Sequence, residues 1–146
     1  RGALELTEID KKLANGNVDE AGKILLQKAI LQEAKNEKLT EQEQYNLDLA
    51  KQEVEVNFYL QKKFDKDFSN VSAVSEEEAK KYYDEHKSEI GNTPFEKIKD
   101  EIETEIVYQR QTEIVYKYYD DLAEKYKIND ILNKEYPQED LLQHRL

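Results

Sequence analysis

The sequence predicts an all-α fold, and three observations carry this prediction. Charged residues account for 38% of the 146 residues, and hydrophobic residues account for another 38%. An average globular domain is roughly half apolar and about a quarter charged, so the core is expected to be thin, which suits long amphipathic helices. Only four Gly and two Pro occur, too few for the many turns of an all-β fold. Apolar residues also recur at helical spacing, which predicts about five helices in an elongated domain.

The first two helices are predicted from their ends and their apolar spacing. Thr7 is an N-cap residue for a short helix through Leu13, and Asn15-Gly16 then ends that helix. A second helix is predicted from about Val18 to Lys38. Its apolar residues step by four and by seven along the helix: Leu26, Ile30 and Ala34, with Ile24 and Leu31.

The third helix opens at a capping box formed by Thr40 and Glu43. It carries two apolar stripes, one of Leu47, Ala50, Val54 and Phe58, the other of Leu49, Val56, Leu60, Phe64 and Phe68. Two stripes indicate that the helix touches neighbours on more than one side, so we predict a central position for it. Residues 69–74 are predicted to be a linker.

A fourth helix opens at a second capping box, Ser75 with Glu78, and continues to about His86. The longest periodic segment comes next, where Thr93 is predicted to cap a helix with Pro94 at its first position. Its apolar residues continue at helical spacing as Phe95, Ile98, Ile102, Ile106, Ile114, Tyr118, Leu122 and Tyr126. At about 1.5 Å per residue, this helix would be roughly 45–50 Å long.

The sequence predicts two parts. Residues 1–128 form the helical domain, and residues 129–146 form a C-terminal arm or tail, which contains Pro137 and the amphipathic stretch Asp140–Leu146. The arm is expected either to dock on the body of the protein or to contact a second chain.

A net charge of −11 argues against two kinds of partner. Nucleic-acid binding depends on clustered Lys and Arg, whereas here Lys alternates with Glu, and the charge also disfavours an anionic membrane surface. No apolar run approaches the roughly 18 residues that a membrane span needs. The absence of Cys excludes disulfides and thiolate sites. Because Met is also absent, even at position 1, we expect the chain to be part of a longer product, and it contains no signal peptide.

The sequence holds no recognisable catalytic motif. It has neither a Gly-rich phosphate loop nor a G-x-S-x-G elbow. His86 and His144 lie far apart, and His86 is expected to be exposed to solvent; a metal site of His86 with Asp84 and Glu85 would need further ligands on the same helix face. We therefore expect no enzyme activity, no catalytic residue, no metal and no cofactor.

Three segments resemble, in the same order, the helical scaffold of the SurA/PrsA/PpiD-type periplasmic chaperones. They are Leu25–Leu39 (LLQKAILQEAKNEKL), Val74–Lys87 (VSEEEAKKYYDEHK) and Pro94–Ile128 (PFEKIKDEIETEIVYQRQTEIVYKYYDDLAEKYKI). The resemblance spans roughly Val18 to Ile128. It implies a chaperone domain in the periplasm or cell envelope, in which N-terminal helices pack against the long C-terminal helix.

The chain departs from this family in two places. The parvulin-type isomerase domain is absent between Lys87 and Pro94, so prolyl isomerase activity is not expected. The family's N-terminal strand is also not seen before Thr7. Residues 88–93 (SEIGNT) are either a natural short connection or an engineered junction, and the sequence leaves both open.

Ten Tyr and four Phe make up the aromatic residues. In one interpretation these rings fill a thin core between crossing helices. In the other, some of them line a groove that grips extended peptides, because Tyr offers a large contact area and a hydroxyl group. The second interpretation selects six residues for binding polypeptide: Phe64, Phe68, Tyr82, Tyr83, Tyr108 and Tyr116.

These observations favour two functions. The first is an ATP-independent holdase for unfolded polypeptides or envelope proteins. The second is a non-catalytic structural or assembly module that binds one specific partner, or itself as a homodimer, through its long helix and C-terminal arm.

Overall fold

The structure, a computed structural model, describes residues 3–137. This part of the chain forms seven α-helices and no β-strand. The helices are α1 (Glu8–Ala14), α2 (Val18–Lys35), α3 (Glu41–Phe68), α4 (Glu76–Glu85), α5 (Lys87–Ile90), α6 (Phe95–Lys125) and α7 (Ile128–Glu135). The predicted all-α class is confirmed. The helix number differs from about five because two short helices, α5 and α7, were not predicted.

The chain divides into two compact units within α3, between Val54 and Glu55. In the first unit, α1 packs on α2. Thr7 and Asp10 form a capping box at α1, with the Thr7 N–H donating to Asp10 Oδ2 at 2.8 Å and the Asp10 N–H donating to Thr7 Oγ1 at 3.1 Å. Asn15 adopts a left-handed conformation with φ 49° and ends the helix. The predicted start and end of this helix are therefore confirmed to within one residue.

The contact between α1 and α2 is fastened by one lysine. Lys28 of α2 donates to the Asp10 carboxylate and, at 2.8 Å, to the Glu5 carbonyl oxygen. Ala14 is 6% exposed at the end of α1. One ion pair and a small buried side chain therefore join the two helices.

The end of α2 and the surroundings of α3 differ from prediction. The second helix ends at Lys35 rather than Lys38, because the chain must leave the helical conformation before Thr40 can cap α3 through its bonds with Glu43. The expectation that both apolar stripes of α3 are covered is wrong, since Val54 is 70% and Phe58 is 73% exposed. Among the stripe residues, Leu60, Phe64 and Phe68 are partly buried.

The core of the second unit lies between α4 and α6. Ala79 is fully buried, Ile102 is 4% exposed and Tyr83 is 9% exposed. The partly buried residues packed against them are Val74, Tyr82, Ile90, Phe95, Ile98 and Ile106. The Ser75–Glu78 capping box that opens α4 is present as predicted, with the Glu78 N–H donating to Ser75 Oγ at 3.1 Å.

The start of α6 corrects one predicted cap. The helix begins at Phe95 after Pro94, without a capping side chain. Thr93, the predicted cap, instead accepts a hydrogen bond at its carbonyl oxygen from the Tyr83 hydroxyl at 2.6 Å. Between Lys87 and Pro94, where the resemblance places an isomerase domain, the chain forms α5 and turns at Gly91, whose φ of +76° favours glycine.

The long helix α6 has 31 residues, which makes it about 46 Å long at roughly 1.5 Å per residue. It ends at Lys125, and a left-handed residue, Lys127 with φ 54°, turns the chain into α7. The predicted arm of residues 129–146 therefore begins within a helix that packs on α6. The amphipathic stretch Asp140–Leu146 lies outside the described residues.

Removing one large aliphatic side chain from the thin core should be costly. We predict that Ile102→Ala lowers the free energy of unfolding by roughly 2–5 kcal/mol, through lost burial and the cavity left behind. Ile131→Ala is the matched control, because Ile131 is 58% exposed, and its effect should stay within about 0.5 kcal/mol. Urea unfolding followed by circular dichroism measures both, and equal effects would show that Ile102 is not a core residue.

Acid should weaken the first unit through Asp10. Its hydrogen bond from Lys28, and then that from the Thr7 backbone, lowers the pKa of Asp10 from 3.8 to about 2. A lowered folded-state pKa stabilises the fold above about pH 4, and this contribution disappears as the pH falls toward 2. In thermal unfolding, the melting temperature of wild type should therefore exceed that of Asp10→Asn at neutral pH, and the difference should shrink on acidification. A difference in melting temperature that stays constant with pH would contradict this role of Asp10.

Candidate functional site

The end of α3 meets α6 through a cluster of four rings, which we call the aromatic cluster: Phe64, Phe68, Tyr118 and Tyr119. Phe64 stacks on Phe68 with ring centroids 5.6 Å apart. It also meets the rings of Tyr118 at 5.8 Å and Tyr119 at 6.3 Å in edge-to-face geometry. These arrangements are the favourable ones for aromatic quadrupoles, so the cluster fixes the rings of α3 against those of α6.

Polar groups support the outer side of this cluster. Lys63 Nζ lies 4.5 Å from the centroid of the Tyr118 ring and 3.0 Å from the Asp67 carboxylate. A hydrogen bond between the Tyr59 and Tyr118 side chains, followed by burial, raises the pKa of Tyr118. The ring of Tyr118 is thus held by contacts on several sides.

An open groove of about 440 Å³ lies beside the aromatic cluster. We call it the groove and define it by its lining residues: Phe68, Tyr108, Gln111, Thr112, Val115, Tyr116 and Tyr119. Tyr108 is 61% and Tyr116 is 45% exposed. Four of the seven lining residues are aromatic, so the groove presents ring surface to solvent. Two of the four, Phe68 and Tyr119, also belong to the aromatic cluster.

Two of the groove residues are polar. The Thr112 hydroxyl is already used, because it donates to the Tyr108 carbonyl oxygen at 2.8 Å. Gln111 is partly buried, and among residues 3–137 its side-chain amide has no hydrogen-bond partner. An amide offers both a donor and an acceptor, which is what one peptide unit of an extended chain requires.

The structure separates the six residues predicted to bind polypeptide. Phe68, Tyr108 and Tyr116 come together in the groove, and Phe64 stands behind Phe68 in the aromatic cluster. Tyr83 lies in the α4–α6 core, where its ring meets Phe95 edge-to-face at 5.5 Å. The Tyr83 ring is therefore buried in the core and does not line the groove.

Tyr82 also lies outside the groove. Its ring stacks on His86 with centroids 3.9 Å apart, and His86 Nδ1 donates to the Tyr82 carbonyl oxygen at 2.9 Å. His86 is partly buried by this contact, which corrects the expectation of an exposed histidine. Burial, followed by the nearby Glu105 and Glu89 carboxylates, raises the pKa of Tyr82.

Four groove residues were not predicted from the sequence: Gln111, Thr112, Val115 and Tyr119. Helical spacing carried a signal for three of them, because Thr112, Val115 and Tyr119 come four, seven and eleven residues after Tyr108. Tyr119 was treated only as the neighbour of Tyr118, and spacing alone does not say which ring of an adjacent pair faces a groove.

Arg110 was also missed, although it fastens the linker to α6. Its Nη1 donates to the Ser72 carbonyl oxygen at 2.9 Å, and its Nη2 donates to the Glu78 carboxylate. The bond from the Ser75 backbone and the charge of Arg110 both lower the pKa of Glu78, the backbone bond more strongly. The forked guanidinium of a single residue therefore joins the linker, the start of α4 and the middle of α6.

Within residues 3–137, no group of three or more His, Asp or Glu residues is placed to hold a metal ion. None of the helices in this range is both long enough and apolar enough to cross a membrane.

Comparisons with protein-family models, with curated proteins and with solved structures found no match to this chain. The resemblance to SurA/PrsA/PpiD-type chaperones therefore stays a prediction.

The role of Arg110 can be tested with Arg110→Lys, which keeps the charge but cannot reach Ser72 and Glu78 together. An exposed ion pair of this kind contributes about 1 kcal/mol or less, so amide exchange at Val71 and Ala79 should rise on the order of two- to fivefold. Hydrogen exchange measured by NMR detects this rise, with the amides of residues 117–125 as the internal control. Unchanged exchange at Val71 would show that Arg110 does not hold the linker.

Proposed function

We propose that the chain is an ATP-independent holdase that binds unfolded polypeptides through the groove. The observation that carries this proposal is the groove, in which the exposed rings of Tyr108 and Tyr116 share a lining with Phe68 and Tyr119 of the aromatic cluster. Tyrosine rings bind at little entropic cost because each has only two side-chain torsions to order. The unused amide of Gln111 would add a hydrogen bond to the backbone of an extended client.

The groove alone is too small for tight binding. Burying one large apolar side chain contributes about 1.5–3 kcal/mol, whereas association costs roughly 4–15 kcal/mol in lost freedom. A client must therefore place several side chains on the protein at once. Such binding is weak, tolerant of sequence and strengthened by multiple contacts, as a holdase requires.

Exposed apolar residues outside the groove offer these additional contacts. On α3, in the same unit as the groove, they include Val56, Phe58 and Tyr59, which are 47%, 73% and 55% exposed. The net charge of −11 would keep a protein with so much apolar surface soluble, and it would do the same for its complex with a client. In this proposal the exposed rings bind the client, and the acidic surface keeps the complex in solution.

The clients we propose are unfolded extracytoplasmic or envelope proteins, and the location we propose is the periplasm or cell envelope. Both parts of this proposal come from the resemblance of α2, α4 and α6 to the chaperone scaffold. Prolyl isomerase activity is not part of it, because only residues 88–93 separate Lys87 from Pro94, where the isomerase domain would lie.

A second candidate function is an assembly module that binds one specific partner or a second copy of the chain. It is favoured by the N-terminal half of α3, which exposes Tyr45, Leu47, Leu49 and Val54 by 64%, 41%, 40% and 70%. Tyr45 and Leu49 are four residues apart and Leu47 and Val54 are seven apart, so each pair shares a helix face and suits a helical partner. A single partner at fixed stoichiometry would favour the module, and suppression of aggregation for unrelated clients would favour the holdase.

A light-scattering assay tests the holdase with a matched pair of tyrosines. A denatured model protein is diluted into buffer with the wild-type chain, with Tyr108→Ala or with Tyr136→Ala. Tyr108 and Tyr136 are 61% and 60% exposed, but Tyr136 lies outside the groove. We expect wild type and Tyr136→Ala to suppress aggregation, and Tyr108→Ala to need a several-fold higher concentration for the same effect.

Two outcomes would contradict the proposal. No suppression by wild type at several-fold molar excess would remove the holdase function. Equal suppression by the two variants, with circular dichroism spectra identical to wild type, would remove the groove as its site.

A further inference from the structure

We infer that the groove selects client segments in which an apolar side chain is flanked by Lys or Arg. This inference rests on the proposed holdase function and specifies its client. It is carried by the charges around the groove, which are acidic on the side where α6 approaches α4.

Two carboxylates continue the groove face of α6 toward its N-terminus. Glu105 precedes Tyr108 by three residues and Glu101 precedes it by seven, so all three lie on one face of the helix. Both glutamates are exposed. Burial, followed by the charge of Glu105, raises the pKa of Tyr82 on α4.

Among residues 3–137, no Lys or Arg forms an ion pair with Glu101 or Glu105, although Lys97 lies four positions before Glu101 on α6. Lys99 pairs with Glu76 at 3.6 Å, and Lys117 pairs with Asp121 at 2.9 Å. Arg110 is held by Glu78 and by the Ser72 carbonyl. These three are the only Lys or Arg residues between positions 98 and 124, so within this stretch of α6 each cation already has a partner. The neighbour of Glu105 is the amide of Gln109, at 3.4 Å, which is uncharged.

A client cation beside the groove would meet two attractive groups. The exposed ring of Tyr108 accepts a cation over its face, and Arg adds stacking to this attraction. The carboxylate of Glu105 lies about one helical turn away on α6 and attracts the same cation. A client segment with Asp or Glu in that position would instead be repelled, both by Glu105 and by the net charge of the chain.

The experiment compares two labelled short peptides by fluorescence anisotropy. Each carries two phenylalanines, flanked in one peptide by lysines and in the other by glutamines. We expect the lysine peptide to bind roughly two- to fivefold more tightly, the advantage of one exposed ion pair. Glu105→Gln should remove most of that advantage, whereas Glu53→Gln, which removes the same charge from an exposed position on α3, should preserve it.

The outcomes separate the inference from the function on which it rests. Equal binding of both peptides, with loss of binding in Tyr108→Ala, would overturn the cation preference and leave the groove as the site. A lysine preference that Glu53→Gln reduces as much as Glu105→Gln would also overturn it, because the attraction would then come from the whole chain. Binding of neither peptide, together with no suppression of aggregation, would overturn the proposed function itself.

Discussion

The contact between α4 and α6 depends on one small side chain. Ala79 is fully buried where the helices meet, so the backbones approach closely enough for Ile102 and Tyr83 to close the core. The Tyr83 hydroxyl then binds the Thr93 carbonyl and fixes the segment from which α6 starts. A long helix whose beginning is fixed in this way presents its remaining faces in a defined direction, and one of those faces carries the groove.

The second unit has a thin core, and part of its aromatic surface stays exposed. A chain with only 38% hydrophobic residues leaves little to bury, and its second unit compensates with aromatic side chains, each of which covers a large area. Phe64 is surrounded by other rings. Tyr116, about one turn before Tyr119 on α6, stays 45% exposed. The cluster and the groove are thus the covered and uncovered parts of one aromatic surface.

Local chemistry made the helix starts predictable. The capping boxes at Thr7, Thr40 and Ser75 need residues only three positions apart, and all three are present. The short helices α5 and α7 were missed because so few residues carry no clear period. Thr93 was misassigned as a cap because α6 begins at Phe95, which makes Pro94 the N-cap residue and leaves Thr93 one position too early.

Contacts between residues that are far apart in the sequence could not be predicted from local patterns. Tyr82 and Tyr83 are adjacent, and only the packing of α4 on α6 decides that Tyr83 is the core residue. Arg110 binds Ser72 and Glu78 over more than 30 positions, and no local pattern marks such a pair. Phe68, Tyr108 and Tyr116 were named from their residue type, and the structure adds that they share one groove.

The most direct test of this account maps where an unfolded client touches the protein. Amide NMR signals of the intact chain are recorded before and after addition of a permanently unfolded polypeptide. The account predicts the largest changes at Phe68 and across residues 105–119, with α1 little affected. Changes confined to the exposed N-terminal half of α3, with the groove signals unmoved, would contradict it and identify an assembly surface instead.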